Sequence, residues 1–341
     1  MKKAIAILLM LTLILSMAAC GKESNDEEDF VTEGPTVIMV TGEGGLGDQS
    51  FNDSVWSGVE RAKNELKIQA TCIESKTVDD YLQNILAAAE QSPNLIICAG
   101  AGMKESLIQV APQYPDQMFL LLDNTIEGAA NVAGYTFKEE EGSFLVGVAA
   151  ALMSEADVIG FIGGEQSAAI ERFQYGYQAG VEVINGNGEN VIVNYTQNFT
   201  DAAYGKEIAL AQHKAGADVI YHAAGGCGVG IIKAAGEQEF WAIGVDQDQS
   251  VLDPEHVLCS MVKRVDNATF YAIVKMINGE FDGTDVEFTL GGEGMAIGDA
   301  VGNIPEETMA EINKWAHAIN TGVFIVPYDA ATFKAFVTPE I

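Results

Sequence analysis

Residues Thr36 to Asp53 read TVIMVTGEGGLGDQSFND, an apolar run followed by Gly42-x-Gly44-x-x-Gly47. After a strand, that glycine spacing is the fingerprint that cradles a dinucleotide pyrophosphate at a helix N-terminus. Glu74 even follows at about the place where an acidic residue would meet a ribose. The match reads as accidental. In a true fingerprint the last glycine opens the helix directly, whereas here DQSFN intervenes, and Asn52 or Asp53 is the better cap for a helix starting there. The glycines then serve to carry DQSFN to a cleft. Other chemistries find no footing: the chain has no Gly-x-Ser-x-Gly elbow, no Walker sequence and no paired-carboxylate signature. His213, His222, His256 and His317 are scattered without metal-ligand spacing. Cys72, Cys98, Cys227 and Cys259 are expected as buried free thiols, since Cys98 and Cys259 lie inside apolar runs. No catalytic residue, metal or cofactor is assigned.

The start of the chain bears on the compartment. Lys2 and Lys3 precede the apolar stretch AIAILLMLTLILSMAAC, a charged region, an apolar core and small residues. It is shorter than the roughly 20 residues a membrane span needs. Ala18, Ala19, Cys20 and Gly21 resemble a bacterial lipobox, in which Cys20 would be lipidated and become the new N-terminus, although Met17 stands where leucine is usual. Residues 1–20 are thus expected as a lipoprotein signal peptide. Residues 21–35, GKESNDEEDFVTEGP, are too poor in apolar side chains to order themselves and read as an acidic tether. An exported protein meets little NAD(P)H, which further weakens the dehydrogenase reading. Eighteen basic residues against 49 acidic ones give a net charge of −31. Such a surface repels nucleic-acid phosphates and anionic lipid alike, so membrane attachment would rest on the anchor.

The elements behind the cleft alternate. TVIMVT, IQATCIES, NLIICAG and QMFLLLD read as strands, with helical segments between them. The series restarts with DVIGFIGG, ENVIVNYTQNF, DVIYHAAGGCG and FWAIGVD. Near-continuous apolar strands separated by helices imply α/β architecture with doubly wound parallel sheets. The halves mirror each other: NLIICAGAG to MFLLLD ends in Asp123, and DVIYHAAGG to WAIGVD ends in Asp246. Gly100 and Gly225 are the turn glycines, 23 and 21 residues before their aspartates. Two similar lobes suggest an interlobe cleft, with ligand beyond the carboxyl ends of the strands.

GGLGDQSFNDSVWSGV, AGGCGVGIIKAA, AIGVDQDQ and LCSMVKRVD, in that order, resemble the basic membrane protein family of lipoproteins. These are ABC transporter substrate-binding proteins and include purine nucleoside receptors. The resemblance implies a type I periplasmic-binding fold, two lobes hinged by three crossovers, placed near 137, 263 and 285. One lobe would hold 36–136 plus about 264–284, the other 137–263 plus about 285–341. It implies a nucleoside ligand, purine by preference, with membrane permease and ATPase subunits as partners on the extracytoplasmic face. Phe51 matches the ring that stacks on the base and Phe199 its partner from the other lobe. Asp123, Gly225, Asp246 and Lys263 match the polar receivers, and Ser50 and Asn52 share the Phe51 loop. An ionised carboxylate only accepts, which suits a sugar diol, while Lys263 can offset the two acids. Phe173 is open between cleft lining and core. The chain departs from the family at Gly42, where relatives often carry a base-touching aspartate; Glu43 stands beside it. A signalling lipoprotein and a nucleoside hydrolase are the alternative functions.

Overall fold

The computed structural model describes residues 34–299 and 301–341; the expected signal peptide, Cys20 and nearly all of the tether lie outside them. Gly34 and Pro35, the last of that tether, belong to the folded body, where the Pro35 carbonyl accepts from Gln69 N at 2.8 Å.

In chain order the first half runs β1 (Thr36–Val40), α1 (Phe51–Leu66), β2 (Gln69–Ile73), α2 (Tyr81–Ala89), β3 (Leu95–Cys98), α3 (Lys104–Val110), β4 (Phe119–Leu122) and β5 (Val132–Phe137). Then follow α4 (Glu139–Met153), β6 (Ile159–Gly163), α5 (Ala168–Asn185), β7 (Ile192–Tyr195), α6 (Ala202–Lys214), β8 (Val219–Ala223), α7 (Cys227–Gln238), β9 (Trp241–Val245) and β10 (Val257–Lys263). The chain closes with α8 (Val265–Ile277), β11 (Val286–Phe288), β12 (Met295–Gly298), α9 (Glu306–Asn320) and α10 (Ala330–Lys334).

Two six-stranded sheets result, ordered β11-β5-β4-β3-β1-β2 and β12-β10-β9-β8-β6-β7. The two orders are the same walk through the chain, so the mirrored sequence is a mirrored topology. Pairing is parallel except that β12 runs antiparallel to β10. Strand alternation gives each sheet two apolar faces. In β1, Val37 and Met39 enter one core cluster, and Ile38 and Val40 enter another on the opposite face. Ile162 and Ile220 likewise face an outer core in the second lobe.

Residues 132–153, which the alternating pattern does not include, form β5 and α4. Helix α4 hides its own period: after its acidic first turn it is buried nearly all round, and a helix apolar on every side has no amphipathic stripe. It packs against α5 through glycines, with the Gly176 position against the Glu140 backbone and Gly180 against Phe144.

The chain passes between sheets after Phe137, after Lys263, and between Phe288 and Met295. The third passage falls later than the expected position near 285, because Val286–Phe288 pairs with β5 in the first sheet. Helix α8, entered at the second passage, lies on α1, where Gly58 admits the Asp266 carbonyl.

Candidate functional site

The loop after β1 settles what the opening glycines do. Gly45 sits at φ 66°, and a Cβ there would overlap the Glu74 carboxylate. Glu74 Oε2 accepts from Leu46 N at 3.1 Å. The acid that mimics a ribose ligand therefore holds the loop itself. Helix α1 begins at Phe51, and its cap differs from expectation. Asp48 receives the first-turn donors, with Oδ2 accepting from Asn52 N at 2.9 Å and Oδ1 from Asp53 N at 3.2 Å. Asn52 is spent on the loop, its Oδ1 accepting from Gly42 N at 2.9 Å. Asp53 receives the Gly47 and Gln49 N–H groups at 2.7 and 2.9 Å. With Asp48 satisfying the helix end, the Ser50 hydroxyl is released to donate to Asp246 Oδ2 across the cleft.

Asp123 and Asp246 close β4 and β9 in the same geometry. Both have φ 66°, and each N–H donates to the next strand, Asp123 to Tyr135 O at 2.8 Å and Asp246 to Met261 O at 3.0 Å. A left-handed non-glycine residue is uncommon, and aspartate tolerates it better than most. That conformation turns both side chains out of the sheets at their carboxyl ends.

Lys263 ends β10 at the second passage and is 1% exposed. Its Nζ lies 2.7 Å from Asp123 Oδ1 and 2.9 Å from Glu139 Oε1. It also sits 4.9 Å from the Phe137 ring centroid, 5.4 Å from Phe51 and 5.5 Å from Phe173, within cation–π range. Burial works against the ammonium, but Asp123, Glu139 and Asp246 outweigh it and hold its pKa above the ordinary lysine value. The acids carry the complementary strain. Burial pushes Asp246 up to about 7, although Lys263 and the Ser50 hydroxyl pull it down. Burial also raises Glu139 against the pull of Lys263.

The two aromatic walls are built on glycines. A Cβ at Gly100 would stand 4.0 Å from the Phe51 ring, and a Cβ at Gly225 would stand 3.2 Å from Phe199 Cβ. At Gly164 a Cβ would fall 2.1 Å from the Phe199 ring, so that ring needs a glycine beneath it. Phe51 lies over the turn glycine of one lobe, and Phe199 over that of the other.

These groups enclose a cavity of about 410 Å³ between the lobes, within the usual size for a small-molecule site. Phe51, Asn52, Asp123, Phe173, Phe199, Gly225, Asp246 and Lys263 all line it. Ser50 does not; it stands behind the wall and fixes Asp246. Phe173, open in the sequence, is both wall and core: it lines the cavity and is 4% exposed. Glu139 escapes the sequence reading because FKEEEG looks like a solvated helix start; its place beside a chain crossing is visible only once the topology is known. The lobes also meet through Gln249, whose Nε2 donates to Gln49 O at 2.8 Å. The Gln249 Oε1 accepts from His222 Nε2 at 2.9 Å, and burial, against the pull of that bond, lowers the ring's pKa to about 4.

Among the described residues no cluster of histidine, cysteine and carboxylate side chains is placed to hold a metal ion. Cys98, Cys227 and Cys259 are buried free thiols, while Cys72 is partly exposed rather than buried. What the cavity offers is flat apolar walls at one end and acceptors with one shared cation at the other.

Comparison with known proteins agrees with this arrangement. Residues 35–330 match the family model described as ABC transporter substrate-binding protein PnrA-like. The ABC transporter nucleoside-binding protein BmpA of Lactococcus lactis subsp. cremoris is 32% identical, over 96% of this chain and 99% of its own. The CD4+ T-cell-stimulating antigen of Listeria innocua is also 32% identical, over 95% and 98% of the two chains. Among solved structures, an ABC transporter system solute-binding protein from Aeropyrum pernix K1 superposes with a TM-score of 0.79 at 27% identity. That match covers 88% of this chain and 96% of the other.

Proposed function

The chain belongs to the Bmp family of PnrA-like ABC transporter substrate-binding proteins, and on that premise we propose that it captures a nucleoside, a purine nucleoside by preference, in the cleft. The observation that carries this reading is the pairing of two walls. Phe51 and Phe199, one from each lobe, flank the same cavity whose floor holds Asp123, Asp246 and Lys263. A planar base between rings gains roughly 0.5–1.5 kcal/mol per ring beyond the area it buries. A hydroxyl donating to an ionised carboxylate adds about 1.5–3 kcal/mol. A free base lacks the diol, and a free sugar lacks the flat faces. The nucleoside-binding description of the Lactococcus relative supports the same ligand class.

Capture breaks no bond. The ligand touches groups from both lobes, so it binds the closed form better than an open one and shifts the population by that difference. The closed form would then dock on a permease driven by an ATPase. Lipidation at Cys20 would hold the protein on the extracytoplasmic face; among the described residues no helix is long and apolar enough to cross a membrane.

The test is a thermal-shift screen against nucleosides, free bases and free sugars, followed by calorimetry. A ligand that binds only the native state raises Tm by mass action. Nucleosides alone are expected to raise it strongly. A larger shift with a sugar or an unrelated small molecule would defeat the reading.

A further inference from the structure

One end of the cavity lacks an internal partner. Glu43, beside the Gly42 departure, lines the cavity from the first lobe. Its Oε1 is shielded from solvent and has no hydrogen-bond partner among the described residues. Its own N–H is used, donating to the Tyr81 hydroxyl at 3.1 Å. From the second lobe, Glu165 lines the same cavity, and its charge adds to the burial that raises the Glu43 pKa, against the Phe199 N–H. Lys263, the single basic residue in the cavity wall among the described residues, is taken by Asp123 and Glu139. Two carboxylates, one on each lobe, thus line the cavity, and among the described residues of its wall no unengaged cation meets them.

We propose that Glu43, with Glu165 opposite it, reads the edge of the base and selects a ring presenting two neighbouring N–H donors, a 2-amino-6-oxopurine, over a 6-aminopurine. This rests on the nucleoside reading above. An ionised carboxylate accepts and cannot donate. The 2-amino-6-oxopurine edge carries N1–H beside the 2-amino group, so it brings two donors to the Glu43 and Glu165 carboxylates. Hypoxanthine offers N1–H alone. A 6-aminopurine sets its amino group between the N1 and N7 acceptors, and a lone pair then faces a carboxylate oxygen. A buried acceptor left unmet costs far more than one that is paired, so the preference follows the donor count.

Calorimetric titration of the protein with guanosine, inosine and adenosine at pH 8 tests the proposal. Wild type is expected to bind guanosine about 10- to 100-fold more tightly than adenosine, with inosine between. Glu43→Gln replaces one acceptor with a donor, so adenosine affinity should rise relative to guanosine and the ratio should shrink or invert. Glu165→Gln, at an exposed position, should shift the ratio the same way, and it gives the answer if Glu43→Gln lowers Tm. Equal guanosine and adenosine affinities in wild type, or variants that weaken all three ligands alike, would overturn the edge reading and leave nucleoside capture standing. No binding of any of the three would sink both.

Discussion

Replacing Lys263 with methionine removes one charge and little volume from the most enclosed part of the cleft. At 2.7 and 2.9 Å from Asp123 and Glu139, and with an effective dielectric near 20, each contact has a gross attraction of about 6 kcal/mol. Desolvation, at several kcal/mol per ion, cancels much of that. The variant keeps the cost and loses the return, because Asp123, Glu139 and Asp246 remain in place without a cation. Removing one partner of a buried pair typically costs about 3–5 kcal/mol, and that is the loss expected for Lys263→Met at pH 8. The pH dependence is sharper evidence than the size. Without the ammonium, Glu139 and Asp246, which burial already raises, keep folded pKa values above their unfolded ones, so the folded variant binds more protons than the unfolded chain. Stability then falls as pH rises through the window between those values. Urea unfolding of wild type and variant at pH 5, 6, 7 and 8 should show a gap that widens with pH. A gap under about 1 kcal/mol at pH 8, or one independent of pH, would refute the picture of a cation holding three buried acids apart.

Phe51→Ala should weaken nucleoside binding by about 30- to 100-fold, from lost stacking and apolar burial, with a small change in the Tm of the free protein; unchanged affinity by calorimetry would remove Phe51 from the site. Asp246→Asn should stabilise the free protein at pH 8, since a carboxyl with its pKa raised by burial to about 7 costs stability wherever it is ionised. The same variant should bind nucleoside less well, so opposite signs in denaturant melts and titration are the expected signature. Cys20→Ala should move the protein from the membrane to the soluble fraction after cell fractionation, and persistence in the membrane fraction would remove the lipid anchor.

The parts of this structure that the sequence discloses are those with a period or a repeat. Apolar strands alternating with helices give both sheets, and the parallel placement of Asp123 and Asp246 after FLLL and WAIGV anticipates two residues of the same left-handed conformation. Local energetics that compete are less legible. Asn52 and Asp53 look like the better caps, but the turn lets Asp48 reach the helix donors first, and that choice decides where the Ser50 hydroxyl goes. Glu139 and the third crossing depend on long-range pairing: a three-residue strand such as Val286–Phe288 has too little pattern to announce its sheet. Residues brought together only by the crossings, as Glu139 and Lys263 are, leave no trace in local spacing.

Lys263 and Glu139 sit where the chain crosses from one sheet to the other, whereas Phe51 and Phe199 each ride on a single lobe. A rotation displaces atoms in proportion to their lever arm, so swinging one sheet away from the other would disturb the Lys263–Glu139 pair least and would carry the phenyl faces, with Asp123 and Asp246, apart. That ion pair would be a standing fixture, and the aromatic end of the crevice a part rebuilt at every closure.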